Sequence, residues 1–151
     1  MIGAIIVTHA SLGKELIAAA EYIVGKMKGI EAASMDSQSN GFEARETIIK
    51  AMKKVDRGDG VLLLTDLFGG SAANIAITFL AQEKVEVITG VNLPMILTFW
   101  NKRATHTLRE VAEAVQLSGL RSINRARALM EIPGDRGRVL SRERELSSQK
   151  Q

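Results

Sequence analysis

Two short segments of the chain carry the side chains best suited to chemistry. His9 lies in the run VTHAS, directly after an apolar stretch, and Asp66 opens the run DLFGGS after another. A carboxylate that accepts a hydrogen bond from one imidazole nitrogen fixes the tautomer and leaves the other nitrogen with its lone pair exposed. If the fold brings these two residues together, His9 is predicted to be a nucleophile supported by Asp66.

The residues that follow Asp66 suit an anionic group. Gly69 and Gly70 allow backbone N–H groups to approach a ligand closely, and a helix beginning beside them adds a favourable dipole. Ser71 offers a hydroxyl at the same place. Together these groups would hold a phosphoryl group on His9. The spacing alone leaves a second interpretation equally open, in which His9 is an ordinary loop histidine and Asp66 caps a helix.

The composition limits the other kinds of chemistry open to the chain. With 151 residues, 46% of them hydrophobic and 25% charged, the sequence has the composition of one soluble globular domain. It contains no cysteine, which excludes disulfides, thiolate zinc sites and a cysteine nucleophile. The second histidine, His106, lacks comparable neighbours and is interpreted as an exposed residue near a helix start. We therefore predict neither a metal nor a cofactor.

The net charge of +3 is unevenly distributed along the chain. Residues 1–120 hold 12 basic and 13 acidic side chains, whereas residues 121–151 hold 8 and 4. The basic part has no aromatic residue to stack on bases and no nucleic-acid-reading motif. No apolar run reaches the roughly 18 residues of a membrane-spanning helix, and no signal-peptide pattern follows Met1. We expect a cytoplasmic protein that does not bind nucleic acids.

Four short apolar runs are predicted to be strands. Residues 2–7 and 60–64 are apolar on both faces, as strands covered by helices on both sides must be, and residues 85–89 form a third strand. Residues 31–35 form a weaker fourth. Apolar residues at helical spacing predict crossover helices between the strands, with one face formed by Leu12, Leu16, Ile17, Ala20, Ile23, Val24 and Met27, and another by Ile48, Ile49, Met52 and Val55.

Capping residues predict where several helices begin and end. Asn40 with Glu43, and Thr107 with Glu110, have the spacing of a capping box. Further signals are Ser71 as the cap of a helix over 72–82, Asn92 before a helix whose first turn contains Pro94, and Gly119 as the end of the last helix. Each of these helices then follows a strand or another helix without a long intervening loop.

The alternation of strands and helices predicts an α/β domain with a mainly parallel sheet covered by helices on both faces. Ligands in such sheets collect at the carboxyl ends of the strands, where His9 and Asp66 would lie. We assign residues 1–132 to this domain. Residues 133–151 become polar and charged and are interpreted as a basic, flexible C-terminal tail.

Three blocks of the sequence resemble the IIA component of the mannose family of the bacterial phosphoenolpyruvate-dependent sugar phosphotransferase system. They are IGAIIVTHASLGKELIAAAEYIVG, GVLLLTDLFGGSAANIA and ITGVNLPMIL, in the expected order, within about residues 1–120. The resemblance implies a phosphotransferase with a phosphohistidine intermediate. It would accept a phosphoryl group from the histidine phosphocarrier protein, pass it to a IIB component, and meet the membrane only through a permease complex.

The resemblance also implies roles for individual residues. His9 matches the phosphorylated histidine of the family, and Asp66 matches the aspartate that forms a hydrogen bond with it. Ser71, with the backbone of Gly69 and Gly70, matches the motif beside the phosphoryl group. Family sequences often have Gly after the histidine and Pro after GGS, whereas this chain has alanine at positions 10 and 72, so the loops are expected to be shifted.

The fold and assembly of the family follow from the same resemblance. It implies a doubly wound sheet with the strand order 2-1-3-4, in which the first and third strands are neighbours, so that His9 and Asp66 would meet. It also implies a homodimer formed by exchange of a C-terminal strand, and residues 119–132 would be that segment here.

Three other functions remain open from the sequence. A regulatory phosphoprotein of the same family would carry the same motifs, because a phosphoryl group on His9 changes the local charge by about −2. The phosphocarrier domain of phosphotransferase-dependent dihydroxyacetone kinases shares the early histidine but usually lacks the FGGS continuation found here. A nucleotide-binding module is the third, although neither a GxGxxG nor a Walker lysine motif occurs.

Overall fold

The computed structural model describes residues 1–35 and 40–130 of the chain. A single sheet contains four strands: β1 (Gly3–His9), β2 (Ile30–Met35), β3 (Val61–Thr65) and β4 (Val85–Thr89). All neighbouring strands are parallel, and their order across the sheet is β2-β1-β3-β4. The predicted fold class and strand order are therefore confirmed.

Helices cover both faces of this sheet. The elements are α1 (Leu12–Val24), α2 (Gly41–Val55), α3 (Ser71–Ile77) with a 3-10 continuation (Thr78–Ala81), α4 (Leu93–Lys102) and α5 (Leu108–Arg121). Residues of α1, α4 and α5 pack on one face, and residues of α2 and α3 pack on the other. None of the helices in the described residues is long and apolar enough to cross a membrane.

The two central strands supply both halves of the core. Ile6 and Leu64 are fully buried on the α1 side, whereas Ile5 and Leu63 are fully buried on the α2 side. Successive side chains of a strand point to opposite faces, so strands between two helical layers must be apolar at every position. This requirement explains the uninterrupted apolar runs in β1 and β3.

Local capping signals predict the helix starts well. The side chain of Asn40 accepts a hydrogen bond from the backbone N–H of Glu43 at 2.9 Å, and the Glu43 carboxylate accepts the N–H of Asn40. The carboxylate of Glu110 accepts the N–H of Thr107 at 2.8 Å. Asn92 likewise accepts the N–H of Met95, so three predicted helix starts are confirmed.

Two other boundary predictions are wrong. Gly70, and not Ser71, is the N-cap residue of α3, and no side chain caps this helix; the predicted helix over 72–82 is a shorter α3 followed by a 3-10 helix. Gly119 does not end α5 but is buried within it. A Cβ on Gly119 would lie 2.8 Å from Cγ and Sδ of Met95, so close helix packing, and not termination, requires glycine there.

The predicted apolar face of α1 is also wrong at its ends. Leu12 and Ile23 are exposed, whereas Ala20 is fully buried and Leu16 is partly buried against the core. Met27 is buried although it lies beyond the end of the helix. Periodicity identifies the central turns of a helix, but the two ends can rotate away from the core.

The contacts of the chain define one compact unit over Met1–Leu120 and a second that begins at Arg121. Within the second unit, the described residues contain a short helix, α6 (Ala126–Met130). The part of segment 119–132 that the structure describes is therefore helix and connecting turn, not strand, and exchange of a strand stays a prediction. Residues 131–132 and the predicted tail over 133–151 lie outside the described residues.

Candidate functional site

The candidate site lies at the carboxyl ends of β1 and β3. These strands are neighbours, with Val7 paired to Thr65, so His9 and Asp66 leave the sheet side by side. His9 is the last residue of β1, whereas the sequence places it in the following loop. The chain leaves β1 for α1 on one face of the sheet and leaves β3 for α3 on the other. In open α/β sheets, ligands usually bind at strand ends where the connections diverge in this way.

Asp66 holds His9 at two points. One carboxylate oxygen, Oδ2, accepts the backbone N–H of His9 at 2.8 Å and lies 2.8 Å from the ring nitrogen Nδ1. The other oxygen, Oδ1, accepts the N–H of Leu67 at 2.9 Å. The side chain of Asp66 is only 10% exposed, whereas that of His9 is 45% exposed. The carboxylate is therefore a buried support for an imidazole that faces solvent.

The electrostatics of the pair determine which ring nitrogen can react. Burial raises the pKa of Asp66, but the hydrogen bonds from the backbone and ring of His9 and from Leu67 lower it more, so the net pKa lies below its ordinary value. Asp66 is thus ionised at neutral pH and can only accept hydrogen bonds. In the neutral imidazole of His9, the nitrogen that faces this carboxylate, Nδ1, then carries the proton, and Nε2 keeps its lone pair.

Gly70 lies near the imidazole of His9. A Cβ on Gly70 would lie 3.4 Å from Cε1 of His9, an ordinary contact distance, and 3.2 Å from Cδ1 of Leu67, which is tighter. Gly69 has a φ of +81°, in the region that favours glycine. Ser71 is exposed in the first turn of α3. Of the three predicted anion-binding residues, Gly70 is the one for which a distance places a side-chain position close to the ring.

The residue after His9 has an unusual backbone conformation. Ala10 has a φ of +48°, the one positive value at a residue other than glycine within the described part of the chain. A left-handed conformation costs an ordinary L-residue about 1–2 kcal/mol. Strain of this kind is concentrated at functional sites, where the surrounding structure holds it in place.

Three exposed apolar side chains follow the two site residues closely along the chain, although the sequence predicts none of them to be a site residue. We call Leu12, Leu67 and Phe68 the apolar rim; they are 44%, 50% and 77% exposed. Leu67 and Phe68 follow Asp66 directly, and Leu12 begins α1 three residues after His9. Exposed apolar side chains that are grouped together are typical of protein-docking surfaces. For Leu67 and Phe68, their position within the DLFGGS run is the available sequence signal.

No group suited to a metal ion occurs at this site. Across the described ranges, 1–35 and 40–130, no cluster of three or more His, Cys, Asp or Glu side chains could hold one. The pair of His9 and Asp66 offers two ligands, one of which carries a proton at Nδ1. The predicted absence of a cofactor remains a prediction.

Comparison with known proteins gives the family. The family model described as "PTS system fructose IIA component" (EIIA-man) matches residues 3–116. This range includes all four strands and the whole candidate site. The chain therefore belongs to the EIIA-man family, the mannose- and fructose-type IIA components of the sugar phosphotransferase system. Membership supports a phosphocarrier role in such a system and a transferase activity.

Two curated relatives agree with this assignment. The mannose-specific EIIAB component of Escherichia coli is 32% identical over 97 residues, which are 64% of this chain and 30% of the relative. The chain thus spans less than a third of that protein's length. The fructose-specific EIIA component of Bacillus subtilis is 28% identical over 112 residues, 74% of this chain and 77% of that protein.

Solved structures show the same fold. The mannose/sorbose-specific IIA subunit from Enterococcus faecalis superposes with a TM-score of 0.74 at 20% identity, covering 88% of this chain and 97% of that one. A phosphotransferase-system EIIA component from Streptococcus agalactiae gives 0.73 at 22% identity, covering 83% and 97%. At sequence identities this low, the similarity to these structures shows a shared fold only.

Proposed function

We propose that this chain is a phosphocarrier that accepts a phosphoryl group on His9 from the histidine phosphocarrier protein and passes it to a IIB component. The observation that carries the proposal is the contact between Nδ1 of His9 and Oδ2 of Asp66 at 2.8 Å, beneath a ring that is 45% exposed. This arrangement commits Nδ1 to the protein and leaves Nε2 for an incoming phosphoryl group.

The transfer requires no atom beyond the two proteins. The lone pair on Nε2 of His9 attacks phosphorus on the donor's phosphohistidine. A new N–P bond forms as the donor's N–P bond breaks, and the electrons of that bond return to the donor's ring. The proton on Nδ1 stays hydrogen-bonded to Asp66, whose charge stabilises the positive charge that develops on the imidazole. Transfer to the IIB component repeats the step with His9 as donor.

The start of α3 is suited to the phosphoryl oxygens. The first N–H groups of a helix have no partner within the helix, and α3 begins at Ser71, directly after Gly70, which lies near the ring. We assign Gly69, Gly70 and the hydroxyl of Ser71 to binding the phosphoryl group. Their hydrogen bonds would stabilise the phosphoryl group most strongly at the stage of transfer where charge accumulates on it.

The apolar rim supports docking of both protein partners. Leu67 and Phe68 are exposed and directly follow Asp66, the residue that holds the ring of His9, so a protein that approaches Nε2 comes close to them. We propose that the donor and the IIB acceptor both bury these side chains, in a cytoplasmic encounter that brings this chain to the membrane only through a permease complex.

Phosphorylation itself gives the direct test. The chain is incubated with phosphoenolpyruvate, enzyme I and the histidine phosphocarrier protein, and its intact mass is measured. We expect the addition of one phosphoryl group on His9, labile in acid and stable in base as a phosphoramidate is. A phosphate that survives acid, or one that maps to His106 or Ser71, would contradict the proposal.

We also propose a homodimer, as the resemblance implies. The outer side of β4 has no neighbouring strand within the described residues, and sheet edges of this kind are usually paired or covered. Light scattering at micromolar concentration should give the mass of two chains. A chain that ends after Arg121 retains all of α5 and should dimerise more weakly if the C-terminal segment supplies contacts. A monomer in both cases would contradict the dimer.

A further inference from the structure

Helix α1 begins without a side-chain cap from its own first residues. Ser11 occupies the N-cap position, but its side chain makes no hydrogen bond to the helix. The hydroxyl of Thr8, in β1, accepts the backbone N–H of Gly13 at 2.8 Å instead. Thr8 is fully buried, so water does not compete for this bond. The strand that ends in His9 is thus hydrogen-bonded directly to the helix that follows it.

Gly13 makes this hydrogen bond possible. A Cβ at this position would lie 3.0 Å from the carbonyl oxygen of Ile6 and 3.1 Å from Oγ1 of Thr8. Only glycine therefore allows the first turn of α1 to rest on β1 without a shift of either element. A larger residue would move the helix start away from the strand and lengthen the bond to Thr8.

The bond fixes both ends of the segment that carries the reactive ring. Thr8 is held in the sheet, where it pairs with Ser34, and Gly13 is held by Thr8. Residues 9–12 must close the gap between these fixed points. Ala10, with its left-handed backbone conformation, lies within this short link.

We propose that Thr8 is a positioning residue for phosphoryl transfer, an inference that rests on the proposed function of His9. Both hydrogen bonds between His9 and Asp66 end on the same oxygen, Oδ2. These two hydrogen bonds orient the ring relative to the backbone of His9. The ring and this backbone could still turn together about Oδ2. The Thr8–Gly13 bond removes this freedom, because it fixes the chain on both sides of His9. Nε2 then stays in line with the phosphorus atom, where a displacement of about 1 Å can cost about 10²-fold in rate.

The neighbouring strand supplies a matched control. Thr65 is fully buried at the end of β3, just before Asp66, as Thr8 is at the end of β1 just before His9. The hydroxyl of Thr65, however, has no hydrogen-bond partner among the described residues. Thr8→Val and Thr65→Val therefore make the same chemical change at two equivalent places, and only the first removes a hydrogen bond.

Phosphoryl uptake from the histidine phosphocarrier protein is the first measurement. We expect Thr8→Val to lower kcat by about 10-fold or more, with KM unchanged because the apolar rim is intact. Thr8→Ser keeps the hydroxyl and should restore kcat to within about threefold, and Thr65→Val should stay within about twofold of wild type. Normal kcat in Thr8→Val with a lowered melting temperature would overturn the proposal. An equal loss in Thr8→Ser and Thr8→Val would also overturn it.

Nuclear magnetic resonance gives a readout that does not depend on phosphorylation. In Thr8→Val we expect faster hydrogen exchange at the Gly13 amide and shifted or broadened ring resonances of His9. If the wild-type chain takes up no phosphoryl group, the proposed function fails, and these spectra then decide the positioning role alone. Unchanged His9 resonances in Thr8→Val would overturn it.

A second variant covers the case in which Thr8→Val does not fold. Gly13→Ala keeps the Thr8 hydroxyl but places a methyl group 3.1 Å from it, which lengthens the bond. We expect the same lowered kcat with unchanged KM. A folded Gly13→Ala protein with normal kcat and unchanged His9 resonances would overturn the proposal.

Discussion

The two ends of the sheet each carry a histidine, and the two residues have opposite surroundings. At the carboxyl end, Asp66 is buried and uses its oxygens to hold His9, while the apolar rim stays exposed. At the amino end, Nδ1 of His106 lies 2.8 Å from the hydroxyl of Thr105, and no carboxylate among the described residues forms a hydrogen bond with its ring. One end presents an exposed imidazole supported by a carboxylate, and the other uses its polar groups to hold turns together.

The amino end also contains a cavity of about 570 Å³. Gly58, Asp59, Lys84, His106 and Glu110 are among the residues that line it. Several of these side chains already bind the protein itself: Nζ of Lys84 donates to the carbonyl of Gly58, and Glu110 accepts from the backbone of Thr107. This cavity is therefore a weaker candidate site than the carboxyl end of the sheet, because polar side chains that line it already form hydrogen bonds with the surrounding backbone.

Arg103 illustrates the structural role of the amino end. It is almost fully buried, and burial lowers the pKa of its guanidinium. It donates to the carbonyl of Lys28 and lies 5.2 Å from the ring centroids of both Phe99 and Trp100. The side chain of Arg103 thus connects the end of α4 to the turn before β2. Polar groups that are buried and engaged in this way stabilise a fold but cannot meet a partner.

The comparison is tested most directly by removing each histidine in turn. His9→Ala should abolish phosphoryl uptake and leave the melting temperature almost unchanged, because the ring supplies the nucleophile and little core packing. His106→Ala should retain full uptake. Intact-mass measurements after incubation with the donor system check both. Uptake in His9→Ala, or its loss in a folded His106→Ala, would reverse the roles of the two ends.

The supporting carboxylates give the next largest contrast. Asp66→Asn should slow transfer by about 10²–10³-fold, because it removes the charge that stabilises the imidazole, and Asp66→Ala should be at least as damaging. Asp59 at the amino end pairs with the N-terminal amine, and Asp59→Asn should leave the transfer rate unchanged. Rapid-mixing transfer assays and thermal melts are run on the same variants. Near-normal transfer in Asp66→Asn with a lowered melting temperature would make Asp66 a helix cap.

The apolar rim predicts a smaller effect that is confined to binding. Phe68→Ala should raise KM for the histidine phosphocarrier protein by about 5–10-fold with little change in kcat, as for an exposed side chain buried only on docking. Tyr22, on the solvent side of α1, is 93% exposed and provides the control. Tyr22→Ala should leave both constants unchanged. Equal effects of the two substitutions would place the docking surface elsewhere.

The smallest predicted effect concerns the strained backbone beside the nucleophile. Ala10→Gly relieves about 1–2 kcal/mol of left-handed strain but gives the unfolded chain more freedom, so a net gain of about 0.5 kcal/mol is expected. Gly25 at the end of α1 has a φ of +81° and open space around its Cα, so Gly25→Ala should destabilise the protein by about 1 kcal/mol. Urea unfolding measures both. A loss of stability in Ala10→Gly would show that Ala10 is not strained.

Local rules predict much of this molecule from its sequence. The strands on either side of the site were predicted to within two residues, because a strand between two helical layers must be apolar throughout. The capping box of Asn40 and Glu43 depends on residues three apart and was also predicted. The sequence pattern indicates which segments are parallel strands but not which strands are neighbours. The strand order could therefore be predicted only through the family resemblance.

The wrong predictions depend on contacts between distant parts of the chain. Gly119 has the sequence pattern of a helix end, yet Met95, on another helix, is what requires glycine there. The bond from Gly13 to Thr8 joins residues only five apart, but the sequence does not predict it because it depends on how closely a helix rests on a strand. The meeting of His9 and Asp66 could be predicted once the resemblance made β1 and β3 neighbours, since neighbouring parallel strands end at one edge.

The way Asp66 holds the imidazole limits the order of events in a reaction with two partners. Nδ1 faces a carboxylate, so a single ring nitrogen, Nε2, remains for both partners. Donor and acceptor must therefore use the same entrance and cannot occupy it together. Steady-state turnover should accordingly give the parallel double-reciprocal lines of a ping-pong reaction, with each partner acting as a competitive inhibitor of the other at high concentration.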